Sequence, residues 1–193
     1  MLSMEIQKET LQAIQALPLP KLIAISGVGG SGKSTLAHAL GEAISAPVIS
    51  VDSFQKDGAF DTAYHRWEIM DFSRLEKEVL QPFSNKERTI TYGHFNVPTA
   101  SISETREVSN QGQLIIEGVG LFRPNVMKYF TYKIWIECPI DLAIVRGKKR
   151  DREESHNPTD EYWDGIWKSN DLEYIEAFHP KESADLIISN DDE

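Results

Sequence analysis

The sequence predicts an α/β fold of three layers, with helices on both faces of a mostly parallel five-stranded sheet. Three observations predict it. Short aliphatic runs recur at residues 22–25, 48–51, 114–117, 133–136 and 184–188. Segments of helical periodicity separate them, such as the face made by Leu36, Ala37, Leu40 and Ile44. A glycine-rich loop joins the first run to that helix.

The elements follow in order. Residues 4–17 read as a lead-in helix with Ile6, Leu11, Ile14 and Leu17 for packing, stopped by Pro18 and Pro20. The first strand leads to Gly27-Val28-Gly29-Gly30-Ser31-Gly32-Lys33-Ser34, a complete Gly-x-x-x-x-Gly-Lys-Ser/Thr phosphate-binding loop backed by Thr35. Its glycines let the backbone curl so that successive N–H groups face phosphate oxygens. Gly27, Gly29, Gly30, Ser31, Gly32, Lys33, Ser34 and Thr35 are therefore the expected nucleotide-binding residues. Lys33 is expected to reach the β/γ-phosphates and the Ser34 hydroxyl to hold a magnesium ion. The helix that follows aims its positive end at the same place.

The second strand, residues 48–51, ends in Asp52, and residues 55–66, with Gly58, read as a surface loop. Ser73-Arg74-Leu75-Glu76 has the capping-box pattern and opens a helix through Leu80, closed by Pro82. Residues 89–92 suit a strand, and 96–103 read as irregular. The third strand ends in Glu117 before Gly118 and Gly120. The fourth passes through Pro139 into a helix carrying Ile140, Ile144 and Val145. Asn157-Pro158 is a cap and first-turn proline for a helix whose Trp163, Trp167, Tyr174 and Phe178 form a core-facing stripe. A last strand precedes an acidic tail at residues 191–193.

At 193 residues, 40% apolar and 26% charged, the chain suits one domain spanning 1–193. A net charge of −10 argues against a nucleic-acid partner. No apolar run is long enough for a membrane span, and residues 1–17 mix Glu5, Lys8 and Glu9 with apolar residues, unlike a signal peptide. The single cysteine, Cys138, excludes an internal disulfide and a multi-cysteine metal site and reads as a buried small hydrophobe. A reducing, cytoplasmic setting is expected. The loop requires a nucleoside triphosphate partner. Asn85-Lys86-Glu87-Arg88 lacks the aspartate of a guanine-reading Asn-Lys-x-Asp motif, and no Ser-Gly-Gly-Gln signature of a transporter ATPase is present. A small-molecule kinase remains.

The loop through Ala37, Asp52-Ser53-Phe54, Ile115-Ile116-Glu117-Gly118-Val119, the segment from Arg146 to Asp151 and the segment from Pro180 to Ile188 together resemble the uridine kinase group of phosphate-loop kinases, related to phosphoribulokinase and pantothenate kinase. The resemblance runs over about residues 21–190. Besides the N-terminal helix read within 1–20, an acceptor-binding insertion is expected at about 53–110, and the resemblance implies a helical lid at about 146–160. Asp52, at a strand end beside the loop, is placed to accept the acceptor hydroxyl's proton, and the resemblance implies the same role with a share in the magnesium shell through water. A carboxylate ending an aliphatic strand is costly to bury unless it serves a cation, and the resemblance implies that Glu117 completes the magnesium site with Ser34. It places Arg146 and Arg150 in the lid over the triphosphate, ATP or GTP.

The acceptor half departs from the group. Gln55 stands where a tyrosine is expected, His65-Arg66-Trp67 where Asp-His-Pro is expected, and Ser155-His156-Asn157 where the lid continues into Arg-Gly-Arg. Phe54, His65, Arg66, Tyr92 and His94 are the candidate acceptor contacts. The acceptor is expected to be a nucleoside such as uridine or cytidine, or a similar small metabolite. Two alternatives stay open: a kinase for a non-nucleoside alcohol of pantothenate-like or sugar type, and a nucleotide-binding regulatory protein without kinase activity. Relatives in the group are often oligomeric, so a homo-oligomer is a further expectation.

Overall fold

The computed structural model describes residues 8–57, 64–154 and 159–191. Helix α1 (Lys8–Ala16) opens the chain. The expected helical residues 4–7 lie outside the described residues, as do Gly58, the segment Ser155-His156-Asn157 with Pro158, and the last two tail residues. The ammonium of buried Lys21 donates to the carbonyls of Ile14 and Gln15 at 3.1 and 3.2 Å. It thereby serves the unpaired carbonyls and the negative end of α1.

Strand β1 (Lys21–Gly27) is buried along its whole length. The loop follows, and then α2 (Lys33–Ile44), whose buried positions Leu36, Ala37, Leu40 and Ile44 are the expected face. Strand β2 (Val48–Ser50) stops one residue short of the expected end, because Val51–Phe54 turns as a 3-10 helix capped by the Ser50 hydroxyl.

Helix α3 (Phe72–Leu75) continues through a π-turn at Glu76–Leu80 into α4 (Gln81–Ser84). Two expectations are corrected here. The cap is Asp71 and not Ser73: the Asp71 carboxylate accepts the Arg74 N–H at 2.9 Å, two residues earlier than the capping-box pattern places it. Pro82 does not close the helix, because it falls at the start of α4, where the wider turn before it relieves the need for its missing N–H.

Strands β3 (Thr89–Asn96) and β4 (Ser101–Ser109) form an antiparallel hairpin apart from the main sheet. Residues 96–103, expected to be irregular, are its turn and strand ends. Most of β4 is exposed, so it carries no alternating apolar signal to read.

The rest of the chain runs β5 (Gln113–Glu117), α5 (Pro124–Met127), β6 (Tyr132–Glu137), α6 (Ile140–Glu154), α7 (Asp160–Tyr162), a π-turn at Trp163–Trp167 kinked at Gly165, α8 (Lys168–Phe178) and β7 (Leu186–Ser189).

The main sheet has five parallel strands in the order β2-β5-β1-β6-β7. Alternate residues of β1 face opposite layers. Ile23 and Ile25 pack with Ile115, Ile134, Leu36, Leu40 and Ile14 under α1 and α2. Leu22 and Ala24 pack with Ile116, Phe122, Trp135 and Tyr174 and with Phe54, Leu75 and Val79. Both faces are covered, which is why the strands read as continuous aliphatic runs. No helix among the described residues is long and apolar enough to cross a membrane.

Register positions the site. Ser50 of β2 and Ile25 of β1 both lie opposite Glu117 of β5. The ends of three neighbouring strands therefore deliver the loop, Asp52 and Glu117 to one carboxyl edge of the sheet, where open α/β sheets bind ligands.

Candidate active site

The phosphate loop is tightly supported. A Cβ on Gly27 would lie 2.7 Å from the Ser31 hydroxyl and 2.8 Å from the Ile136 carbonyl oxygen. Gly30, at φ +79°, leaves room for the Ala143 carbonyl of α6, which a Cβ would approach to 2.1 Å. Gly32 takes the left-handed conformation, φ 96°, that turns the chain into α2. The Ser31 carbonyl accepts the Asn190 side-chain amide at 2.8 Å, and the buried Ser31 hydroxyl has no partner among the described residues. Ser34 and Thr35 are exposed in the first turn of α2, where backbone N–H groups have no intrahelical acceptor.

Lys33 is buried, and its ammonium donates to the Val28 carbonyl at 2.8 Å. Burial pulls its pKa down against the opposing charges of Glu117, Asp171 and Asp52. The Ser34 hydroxyl donates to Glu117 Oε2 at 3.2 Å, and Glu117 is 5% exposed at the end of β5. Asp52 is open to solvent by area yet densely surrounded, as a group on the floor of a cleft is. That crowding raises its pKa first. Glu117 raises it further, against Lys33 and Arg150, and this charge effect persists where water reaches the cleft.

The donor set fits a hard cation. Ser34 and Glu117 present a hydroxyl and a carboxylate within one hydrogen bond. No cluster of three or more His, Cys, Asp or Glu that could hold a metal occurs among the described residues. An ion here would complete its shell with phosphate and water oxygens, which is the habit of magnesium.

Helix α6 crosses the loop. Arg150 lies 5.9 Å from the Trp163 ring centre and donates to Asp151 Oδ1 at 3.0 and 2.8 Å. Its charge acts on both Lys33 and Asp52. Arg146 donates to the Asn190 carbonyl at 3.0 Å, and the same asparagine reaches Ser31. Lys148 and Arg152 pair with Asp164 and Asp160, joining α6 to the helix that follows.

The acceptor candidates divide. Phe54 is fully buried and stacks on Tyr92 at 5.5 Å, so both brace the hairpin against the Asp52 turn. His94 Nδ1 lies 2.9 Å from the Ser53 hydroxyl, next to Asp52 in sequence; burial and then Arg106 lower its pKa. Arg74 locks the arrangement by donating to the carbonyls of Ser53 and Gly93 at 2.7 and 2.8 Å. The side chains of His65 and Arg66 are engaged elsewhere, His65 with Glu173 at 2.8 Å and Arg66 with Glu68 at 2.9 Å.

No family model matches the chain. Curated relatives do. A uridine kinase of Lactobacillus helveticus is 25% identical over 185 residues, covering 89% of this chain and 87% of its own length. One of Borrelia duttonii is 27% identical over 177 residues, covering 87% and 85%. In sequence the chain is thus similar to the uridine kinases, over most of its length and most of theirs. The fold agrees: a possible uridine kinase from Bacillus stearothermophilus superposes with a TM-score of 0.69 at 21% identity, over 92% of this chain and 94% of that one. Phosphoribulokinase from Rhodobacter spheroides does so at 0.61 and 17% identity, over 88% and 70%.

Sequence reasoning missed three residues at the loop. Trp163 was expected only in the core. It is buried, and a Cβ on Gly29 or Gly147 would approach its ring to 3.0 or 2.3 Å, so it wedges between loop and α6. Asp171 accepts the Gly29 N–H at 2.9 Å, so that amide serves the protein's own carboxylate. Asn190 links Arg146 to Ser31. A signal for Asp171 existed: it falls four residues after Trp167 and three before Tyr174, a carboxylate on an otherwise apolar helical stripe.

Proposed function

We propose that this chain is a magnesium-dependent kinase moving the γ-phosphoryl group of ATP or GTP to a hydroxyl of a nucleoside, such as uridine or cytidine, or of a similar small metabolite. The observation that carries the reading is the shared strand edge: Lys33, Ser34, Asp52 and Glu117 come from adjacent elements to one recess, coupled by a hydrogen bond and by charge. Phosphoryl transfer needs this kind of positioned charge and little covalent chemistry from the protein.

Each residue then has a task. The loop and Lys33 hold the phosphates. Asp52 accepts the proton of the acceptor hydroxyl as its oxygen bonds to the γ-phosphorus. The bond from that phosphorus to the β–γ bridging oxygen breaks, and the nucleoside diphosphate leaves. Ser34 and Glu117 would hold magnesium, with Asp52 acting through water; the ion supplies charge neutralisation at the phosphates. Arg150 contributes positive charge over the loop, and Arg146 supports the loop through Asn190. The lone buried Cys138 suits the reducing cytoplasm, where we place the protein.

A non-nucleoside alcohol is the second reading, favoured by His65 and Arg66 being engaged with Glu173 and Glu68. A panel of nucleosides, sugars and pantothenate-like alcohols assayed for stimulated ADP release tests both. Stimulation by uridine or cytidine supports the first, and by a sugar or pantothenate-like alcohol the second. Nucleotide binding without stimulation by any compound would leave the regulatory alternative.

Glu117→Gln is expected to raise the magnesium concentration for half-maximal activity by on the order of 10–100-fold, the range for groups that set a metal site. An unchanged magnesium titration would remove Glu117 from the cation site.

A further inference from the structure

Asp171 is buried (4% exposed) and has no task in the transfer described above. Its two oxygens serve two separate elements. Oδ2 accepts the Gly29 N–H of the phosphate loop at 2.9 Å, and Oδ1 accepts the Trp67 indole N–H at 2.7 Å. Trp67 belongs to the insertion, in a turn where Arg66 and Trp67 both have positive φ, 50° and 61°. Bulky residues persist in that conformation only where their surroundings hold them.

Here the surroundings do. The Trp67 N–H donates to Asn170 Oδ1 at 2.6 Å, and Asn170 Nδ2 donates to the Tyr64 carbonyl at 3.1 Å. Buried Arg123 donates to the Arg66 carbonyl at 2.6 Å from the far side. Asn170 and Asp171 thus grip one strained turn, and Asp171 alone extends that grip to the loop. Burying a carboxylate between two donors is costly unless both bonds are kept. Loss of either partner is therefore felt at the other.

We propose that Asp171 is a positioning residue that couples the insertion turn at Trp67 to the phosphate loop, so that nucleotide affinity depends on the Trp67 indole N–H. The proposal rests on the loop being a nucleotide site, as read above. By reciprocity, nucleotide binding then strengthens whatever the insertion holds.

The test is a double-mutant cycle on the full chain, with magnesium-ATP binding measured by calorimetry for the wild type, Trp67→Phe, Asp171→Ala and the pair. Each single change is expected to weaken binding about fivefold or more. The pair should be no weaker than Asp171→Ala alone, since both remove one link. Trp67→Phe should also raise the acceptor KM more than it lowers kcat, a split that loss of folded protein would not produce. Asp171→Asn, which keeps the volume and can accept from only one donor, takes the place of Asp171→Ala if that variant does not fold. Wild-type affinity in Trp67→Phe, or additive losses in the pair, would overturn the coupling alone. Absence of nucleotide binding by the wild type would overturn the functional reading and the coupling with it.

Discussion

Asp52→Asn is expected to lower phosphoryl transfer by about 10²–10⁴-fold, the usual contribution of a positioned general base, while nucleotide affinity stays near wild type. The substitution keeps the size of the side chain and removes its ability to take a proton. The backbone at Asp52 is held independently, because its N–H donates to the Ser50 hydroxyl at 3.3 Å and the turn behind it ends in fully buried Phe54. Loss of activity would therefore report chemistry rather than misplacement. Asp52 also shares its recess with Glu117, and removing one of two neighbouring negative charges does not weaken the hold on an anionic triphosphate. Single-turnover rates and a binding isotherm on the same preparation check both halves. Wild-type turnover would remove Asp52 from the base role.

Gly30→Ala is expected to weaken nucleotide binding by about 100-fold or more. The added Cβ would lie 2.1 Å from the Ala143 carbonyl oxygen, a backbone atom of α6 that cannot swing aside, at φ +79°. Left-handed backbone in alanine costs about 1–2 kcal/mol and overpacking about 1–3 kcal/mol. About 3 kcal/mol together corresponds to roughly two powers of ten in affinity. Relief requires α6 to lift from the loop, which also displaces Arg150. Binding isotherms with intact and truncated nucleotides check this: the loss should persist with ADP, since the loop itself is distorted.

Much of the fold was legible because its signals are local. The aliphatic runs, the complete phosphate motif and the face of α2 each depend on neighbours in sequence. The hairpin was half legible. Thr89 to Tyr92 reads as a strand, while β4 is mostly exposed and so carries no pattern. Pro82 misled because its usual effect is offset by a π-turn, which has no sequence signature.

Of the proposed site, Lys33, Ser34, Asp52 and Glu117 were legible because each sits at a strand end or in a motif. Asp171, Trp163 and Asn190 act on the loop from 142, 134 and 159 positions away, counting Asp171 and Trp163 to Gly29 and Asn190 to Ser31. Only the packing of the π-turn at Trp163–Trp167, of α8 and of the end of β7 brings them there. His65 and Arg66 have acceptor-like chemistry, yet their carboxylate partners Glu173 and Glu68 decide where they point.

The most direct measurement follows the phosphoryl group itself, with γ-labelled ATP, magnesium and the strongest acceptor of the panel. The expected result is label covalently bound to that acceptor, dependent on magnesium and lost in Asp52→Asn. Label that stays in ATP, or appears only as inorganic phosphate whichever acceptor is supplied, would contradict a kinase.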